Sequence, residues 1–180
     1  MSAPFYASSE STEWYTPAYL VDAVIRVLGA IDCDPCSNPP PYNVPAMTHY
    51  TKADDGLIHP WSGRVYMNPP YGDALPLWVD KLLVERALGR CTEAITLTPA
   101  RTDTRWFQPL WSAAALCFLR GRVQFVGSTT GSTFPTVLAY FGDRVNRFVA
   151  EFTGQGQIIY PGGPSPVAYQ PVLAFVEAAL

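Results

Sequence analysis

The stretch Arg64-Val65-Tyr66-Met67-Asn68-Pro69-Pro70-Tyr71-Gly72 decides the fold, because a short apolar β-type segment runs straight into Asn-Pro-Pro-Tyr. Two consecutive prolines lack N–H donors and hold φ fixed, so the strand ends there and its backbone carbonyls point outward unpaired. An amide side chain stands before those carbonyls and an aromatic ring after them. The result is a cluster of hydrogen-bond acceptors beside a stacking plate. It fits an exocyclic amino group on a flat base: Asn68 Oδ1 and the Pro69 carbonyl can each accept one N–H, and Tyr71 can cover the ring. Read as local structure alone, Asn68, Pro69, Pro70 and Tyr71 form a proline-rich turn closing a strand. The similar string Asn38-Pro39-Pro40-Pro41-Tyr42 has an extra proline and no strand leading into it, so it reads as a loop.

Working outward, Asp73 can cap a helix in which Leu75, Trp78, Val79, Leu82 and Leu83 share one face, ending before Gly89. Ala94 to Leu97 follows as a strand, and this strand–helix–strand order predicts parallel pairing with a right-handed crossover. Toward the N-terminus, Thr16 is a candidate N-cap and Pro17 suits the first helical position. Leu20, Val21, Val24, Ile25 and Leu28 then form an apolar face ending at Gly29. Ala30 to Ser37 is a short strand opening into an acidic, proline-stopped turn, and the carboxyl ends of strands in α/β sheets are where ligands bind. Asp34, Pro35 and Cys36 are therefore candidate binding residues, with Asp34 as a simple turn residue the alternative.

Residues 42–60 are polar and irregular and predict loop. About thirty residues separate Asp34 from Asn68, too few for two further strand–helix units, so the sheet must be abbreviated. Thr102 or Asp103 can start a short helix carrying Trp106, Phe107, Leu110 and Trp111 as core. Ala115–Leu119, Val123–Val126 and Val137–Phe141 read as three more strands, with Gly121 and residues 127–131 as turns. The whole predicts an α/β fold with an antiparallel C-terminal part. The expected organisation is a lead-in over residues 1–13, a domain over 14–152 and a loop-rich extension of it over 153–180.

At 180 residues, 48% of them apolar, the chain can bury a core of its own. No apolar run is long enough to span a membrane and the N-terminus lacks a basic segment followed by an apolar one, so a cytoplasmic protein is expected. The net charge of −3 argues against holding nucleic acid by bulk electrostatics, yet it is uneven. Residues 1–80 carry three Lys/Arg and nine Asp/Glu, a net −6, whereas residues 81–180 carry nine and six, a net +3. The second half is the expected nucleic-acid face, with Arg101, Arg105 and Arg122 as candidate contacts and Arg120, Arg144 and Arg147 completing its charge. Four cysteines are too few for a secreted disulfide scaffold, so free thiols and no metal are expected. Cys33 and Cys36 could pair as zinc or redox ligands, but His49 and His59 are too far apart for a finger.

Asn-Pro-Pro-Tyr after an apolar strand resembles the catalytic loop of amino-methylating DNA methyltransferases. Trp-Tyr-Thr-Pro, Asp-Pro-Cys, Asp-Gly-Leu, Asn-Pro-Pro-Tyr, Leu-Thr-Pro-Ala and Arg-Gly-Arg also occur in the order found in compact phage-type DNA N6-adenine methyltransferases. The resemblance covers Glu13 to Phe141. It implies a Rossmann-like sheet, S-adenosylmethionine as methyl donor and DNA adenine as acceptor. It further implies that Tyr15, Thr16 and Pro17 help hold the methionine part of the cofactor and that Asp34, Pro35 and Cys36 line its site. Asp55 would meet its adenine amino group, and Phe125 would pack against an extruded base. The Gly-x-Gly expected after the first strand is replaced by Asn38-Pro39-Pro40. Cytosine N4 as acceptor, and a methyltransferase-derived DNA-binding module without catalysis, are the alternatives. No separate target-recognition domain is evident, so sequence choice falls to the loops at 101–105 and 128–133 or to a second subunit, as in a homodimer.

Overall fold

A computed structural model describes residues 14–128 and 130–161. Strands β1 (Ile31–Asp34), β2 (Ala46–His49), β3 (Gly63–Met67), β4 (Cys91–Pro99), β5 (Ala115–Leu119), β6 (Thr136–Phe141) and β7 (Gly156–Ile159) form one mixed sheet in the order β2-β1-β3-β4-β6-β5-β7. The four strands β2, β1, β3 and β4 are parallel to their neighbours. β6 inserts antiparallel between β4 and β5, and β7 adds antiparallel to β5. This is the expected α/β, abbreviated Rossmann-like sheet with an antiparallel C-terminal part.

Alternation along the strands sorts their side chains to two cores. Tyr66, Ile95, Leu97, Leu138 and Tyr140 meet α1 (Ala18–Leu28) and α3 (Val145–Phe152), whose buried faces are Leu20, Val24, Val27 and Leu28, and Phe148 and Phe152. Val65, Met67, Ala94, Val137 and Ala139 meet α2 (Leu75–Ala87) and the 3-10 helix Arg105–Ser112 on the other side. Helices thus cover both faces. The chain leaves β1 toward β2 and returns to the other side of β1 as β3, so the strand order reverses between them. A crevice opens outside the carboxyl ends of strands at such a switch point.

Four local expectations are corrected. Residues 46–49, read as loop, are a strand: Ala46 to His49 add to the free edge of β1, where half-exposed side chains leave no alternating pattern to see. Val123–Val126 is not a strand, because its backbone groups go elsewhere: the Val126 amide donates to the Tyr15 carbonyl at 2.9 Å and the Val123 carbonyl accepts from Ser132 at 2.8 Å. Residues 156–159, placed in a loop-rich extension, pair with β5. Asp73 caps nothing, since α2 begins at Leu75 from Ala74 without a side-chain cap. The lead-in at 1–13 and the tail from 162 lie outside the described residues.

At the amino ends of the strands, ion pairs tie α1 to the sheet. Arg64 binds Asp32 through two nitrogens at 2.7 Å and reaches the Leu28 carbonyl at 3.3 Å. Arg144 binds Glu93 and the same carbonyl at 2.8 Å. Arg144 is thereby removed from the expected nucleic-acid face. Among the described residues no helix is long and apolar enough to cross a membrane.

Candidate functional site

Two turns, one at the carboxyl end of β1 and one between β2 and β3, wall a cleft of about 190 Å³ with Trp14, Cys36, Asn38, Asp55, Asn68 and Trp78 in its lining. The first turn leaves β1 at Asp34-Pro35-Cys36, where Asp34 Oδ1 accepts from the Cys36 amide at 3.3 Å and the Asp34 carbonyl accepts from the Ser37 hydroxyl at 3.1 Å. Burial pushes the Asp34 carboxyl up to about 6, against the opposing pull of Ser37, the Cys36 amide and His49. Asp34 lies beneath the cleft floor, and its neighbour Cys36 faces the space. The Cys36 thiol accepts from the Asn68 backbone amide, which links the two turns, and burial holds it well above the ordinary thiol range.

The second wall is the turn Asp54-Asp55-Gly56. Asp54 is consumed locally, accepting from the Thr51 amide at 2.8 Å and hydroxyl at 2.7 Å; the Thr51 hydroxyl above all holds its carboxyl below the usual range. Asp55 is different. Its carboxylate is exposed beside the cleft with one bond, from the Leu57 amide at 3.3 Å, and its φ of 54° is the one positive value among described residues other than glycine. Such backbone conformations collect at binding sites because the surrounding structure has to enforce them. Gly56 lets this turn close on the first: a Cβ there would stand 1.9 Å from the Pro35 carbonyl oxygen. No Gly-x-Gly follows β1, and the close approach of backbone to backbone seen here is made by Gly56 against Pro35. The Trp61 indole N–H pins the Gly56 carbonyl at 2.8 Å, and Trp61 stacks on Trp78 at 5.9 Å.

Asn68 stands where β3 meets both turns. Its Nδ2 donates to the Trp14 carbonyl at 2.6 Å and to Thr16 Oγ1 at 3.1 Å, and its Oδ1 accepts from the Tyr71 hydroxyl at 2.8 Å. A carbonyl can only accept, so the Trp14 contact fixes which end of the amide is nitrogen and leaves Oδ1 as the outward acceptor. The Tyr71 hydroxyl has a second acceptor at 3.1 Å in the Leu97 carbonyl. Its single proton is shared between the two acceptors, and Oδ1 keeps a lone pair for a further donor. Pro69 is buried, Pro70 lines the cleft, and the Pro69 carbonyl accepts no hydrogen bond from a described residue.

Thr16 does not cap α1. Pro17 occupies the cap position without a side-chain bond, while the buried Thr16 hydroxyl is shared between Asn68 and the Tyr66 hydroxyl at 2.9 Å. Tyr15 serves through its backbone, bridging to Val126. Phe125 is 1% exposed and packs 5.0 Å from Trp14 and edge-on to Tyr71 at 6.1 Å, with Phe134 closing the same cluster. Trp14 itself lies over Tyr71, 6.1 Å between centroids and 27° between planes.

Because β4 and β5 both point their carboxyl ends toward Asn68, Arg101, Arg105 and Arg122 share one rim with it, all exposed and without an ion pair to a described residue. Arg122 also lines a shallower hollow with Arg120, Tyr19 and Gln155. The four thiols are free, and no three metal-ligating side chains are gathered among the described residues.

Tyr66, Phe134, Trp78 and Gly56 were not singled out from the sequence. Tyr66 carried a signal, a hydroxyl at the inward position of an otherwise apolar strand next to Asn68. Phe134 carried none. A family model described as DNA N-6-adenine-methyltransferase (Dam) matches residues 6–139, which include Trp14 to Thr16, both cleft turns and Asn68 to Tyr71. A comparison with curated proteins finds no match.

Proposed function

The chain belongs to the DNA N-6-adenine-methyltransferase family, and on that footing we propose that it transfers a methyl group from S-adenosylmethionine to N6 of an adenine extruded from DNA. The observation that carries the reading is the Asn68 carboxamide, with both N–H groups engaged and its oxygen turned outward beside a cleft.

The cleft suits S-adenosylmethionine by its donor set and shape. The Asp55 carboxylate is an acceptor for the cofactor's adenine amino group, Trp78, Pro39 and Pro70 supply apolar faces, and Gly56 lets two backbone walls close without a side chain between them. Asp34 and Pro35 support that wall from beneath, Cys36 lines it, and Trp14 bounds the cleft, while Thr16 is buried behind it. When bound, the cofactor supplies an electrophilic methyl group on a sulfonium.

Adenine N6 is a poor nucleophile because its lone pair is delocalised into the ring. Asn68 Oδ1 and the Pro69 carbonyl accept its two hydrogens, pull the nitrogen toward tetrahedral geometry and hold its lone pair toward the cleft. No strong base is needed before transfer, because the nitrogen turns acidic only once it carries the methyl group and then sheds one of its two hydrogens to solvent, in keeping with a site built of amide, carbonyl and neutral hydroxyls. Burial holds the Tyr71 hydroxyl well above its ordinary range, so it remains a donor. Its ring and Phe125 offer apolar contact to the extruded base, replacing stacking worth roughly 1–3 kcal/mol. A flat ring between Trp14 and Tyr71 needs two gaps of about 3.4 Å, more than the 6.1 Å present. A base on that face of Tyr71 therefore displaces Trp14. Arg101, Arg105 and Arg122 hold backbone phosphates along the rim.

The test combines calorimetric titration of S-adenosylmethionine with methyl transfer to unmethylated DNA, followed by nucleoside analysis. Asn68→Ala is expected to retain cofactor binding and lose turnover. N4-methylcytosine as product would reassign the acceptor. DNA binding without cofactor binding would leave a catalytically silent DNA-binding module.

A further inference from the structure

The Asn68 carboxamide is held from behind by residues that neither the family match nor the Asn-Pro-Pro-Tyr motif includes in the chemistry. Its Nδ2 carries two hydrogens, and the two acceptors within reach, the Trp14 carbonyl and Thr16 Oγ1, take both. Thr16 is 3% exposed and meets the hydroxyl of Tyr66, 1% exposed, on the strand that delivers Asn68. A hydroxyl in this position would ordinarily cap the helix that starts two residues later. Here α1 begins with no side-chain cap, and the Thr16 oxygen is turned toward the sheet.

The segment carrying these acceptors is itself anchored on both sides. The Thr16 carbonyl accepts from Asn43 Nδ2 at 3.0 Å, and the Tyr15 carbonyl accepts from the Val126 amide at 2.9 Å. Tyr66 and Asn68 sit two apart at the end of β3, so both side chains point to the α1 face and span the same gap to Thr16. Burial raises the Tyr66 hydroxyl far above its ordinary range, so it stays neutral and serves only to hydrogen-bond.

We propose that Thr16 and Tyr66 are positioning residues that lock the Asn68 carboxamide plane, so that Oδ1 alone is presented to the amino group being methylated. This inference rests on the role of Asn68 given above. It assigns the Thr16 hydroxyl to the acceptor side of the reaction, whereas a cofactor contact would place it on the donor side. Without the Thr16 oxygen one Nδ2 hydrogen has no acceptor, and the Trp14 carbonyl and the Tyr71 hydroxyl are left to hold a carboxamide plane that can then tilt and carry Oδ1 out of line.

The experiment uses the full chain with Thr16→Val, Thr16→Ser and Tyr66→Phe, measuring kcat and KM for DNA and calorimetric Kd for S-adenosylmethionine, with Asn68→Ala alongside. Thr16→Val and Tyr66→Phe are expected to lower kcat by about 10- to 100-fold, with Kd and KM within about twofold of wild type. Thr16→Ser, which keeps the oxygen, is expected to recover most of kcat. Turnover of both Thr16→Val and Tyr66→Phe within twofold of wild type, or a Thr16→Val loss confined to cofactor Kd, overturns the proposal. If instead Asn68→Ala retains turnover, the underlying role of Asn68 fails, and the two failures are told apart by that variant. Tyr66→Phe keeps the ring that fills the core, so it remains informative should Thr16→Val fold poorly.

Discussion

Substituting Gly56 by alanine tests whether the cleft is made by the close approach of two turns. The added Cβ would lie 1.9 Å from the Pro35 carbonyl oxygen, 3.0 Å from the Pro35 carbonyl carbon and 3.3 Å from the Trp78 ring. To reach 3.0 Å from that oxygen, the turns must part by about 1 Å. Neither atom of Pro35 belongs to a flexible side chain, and the Gly56 carbonyl is held by Trp61, so the movement propagates to Asp55 and Cys36. Overpacking of this kind costs roughly 1–3 kcal/mol, or a fall in Tm of roughly 2–12 °C for a domain of this size. If Asp55 meets the cofactor as proposed, the same 1 Å would draw its carboxyl group away, and affinity for S-adenosylmethionine is expected to fall by about tenfold or more. The assay is thermal unfolding with calorimetric titration, and Gly154→Ala is the control, because a Cβ there meets nothing within 4 Å. If Gly56→Ala melts and binds cofactor like Gly154→Ala, the turns do not form the site in the way described.

Two further outcomes follow from buried titratable groups. The Asp34 carboxyl titrates near 6 in the folded chain and near 3.9 unfolded, so the folded state binds more protons between those values. Stability from this group is complete below about pH 3.9 and lost as pH rises through 6, a swing on the order of 2–3 kcal/mol. Asp34→Asn should therefore gain stability relative to wild type between pH 4 and pH 7.5 by chemical denaturation, and a pH-independent difference would count against the burial. Burial pushes the thiols of Cys33, Cys91 and Cys117 up to about 12 and Cys36 well above its usual range. Aromatic disulfide reagents at pH 8 should titrate none of the four until denaturant is added, and a rapid native equivalent would show that a thiol is accessible.

Much of the architecture was legible because long periodic segments and proline punctuation agree. The face of α1, the face of α2 and the run of β3 into Asn68 are each written in local spacing, and the order of elements then requires parallel strands. The edge strands were not legible. β2 and β7 bury little, and neither Ala46–His49 nor Gly156–Ile159 alternates apolar with polar residues, so only their backbone partners make them strands. Val123–Val126 misled for the opposite reason: Val123 and Phe125 alternate as in a strand and are buried, but the Val126 amide turns to Tyr15 and the Val123 carbonyl to Ser132. At the site, Asn68 was singled out because its chemistry is explicit in the residue types around it, and Asp55 and Cys36 through the resemblance of their motifs to those of the methyltransferase family. The alliance of Thr16 with Tyr66 spans fifty residues, and hydrogen bonds at that separation leave no trace in local pattern. Gly56 was visible as part of Asp-Gly-Leu, but nothing local says that the backbone it makes room for is Pro35.

Helix α1 is fastened at both ends, through Thr16 to Tyr66 and Asn68 above and through the Leu28 carbonyl to Arg64 and Arg144 below. One residue inserted between those points advances the helix by about 1.5 Å and turns it by about 100°, and both fastenings cannot then be kept. The distance from the Tyr-Thr-Pro segment to Gly29 is consequently a fixed length in this chain, while the turn at Gly154 between α3 and β7, where an added Cβ would meet nothing within 4 Å, has room to lengthen. Loop grafts for this protein belong there, and length variation among its relatives should spare α1.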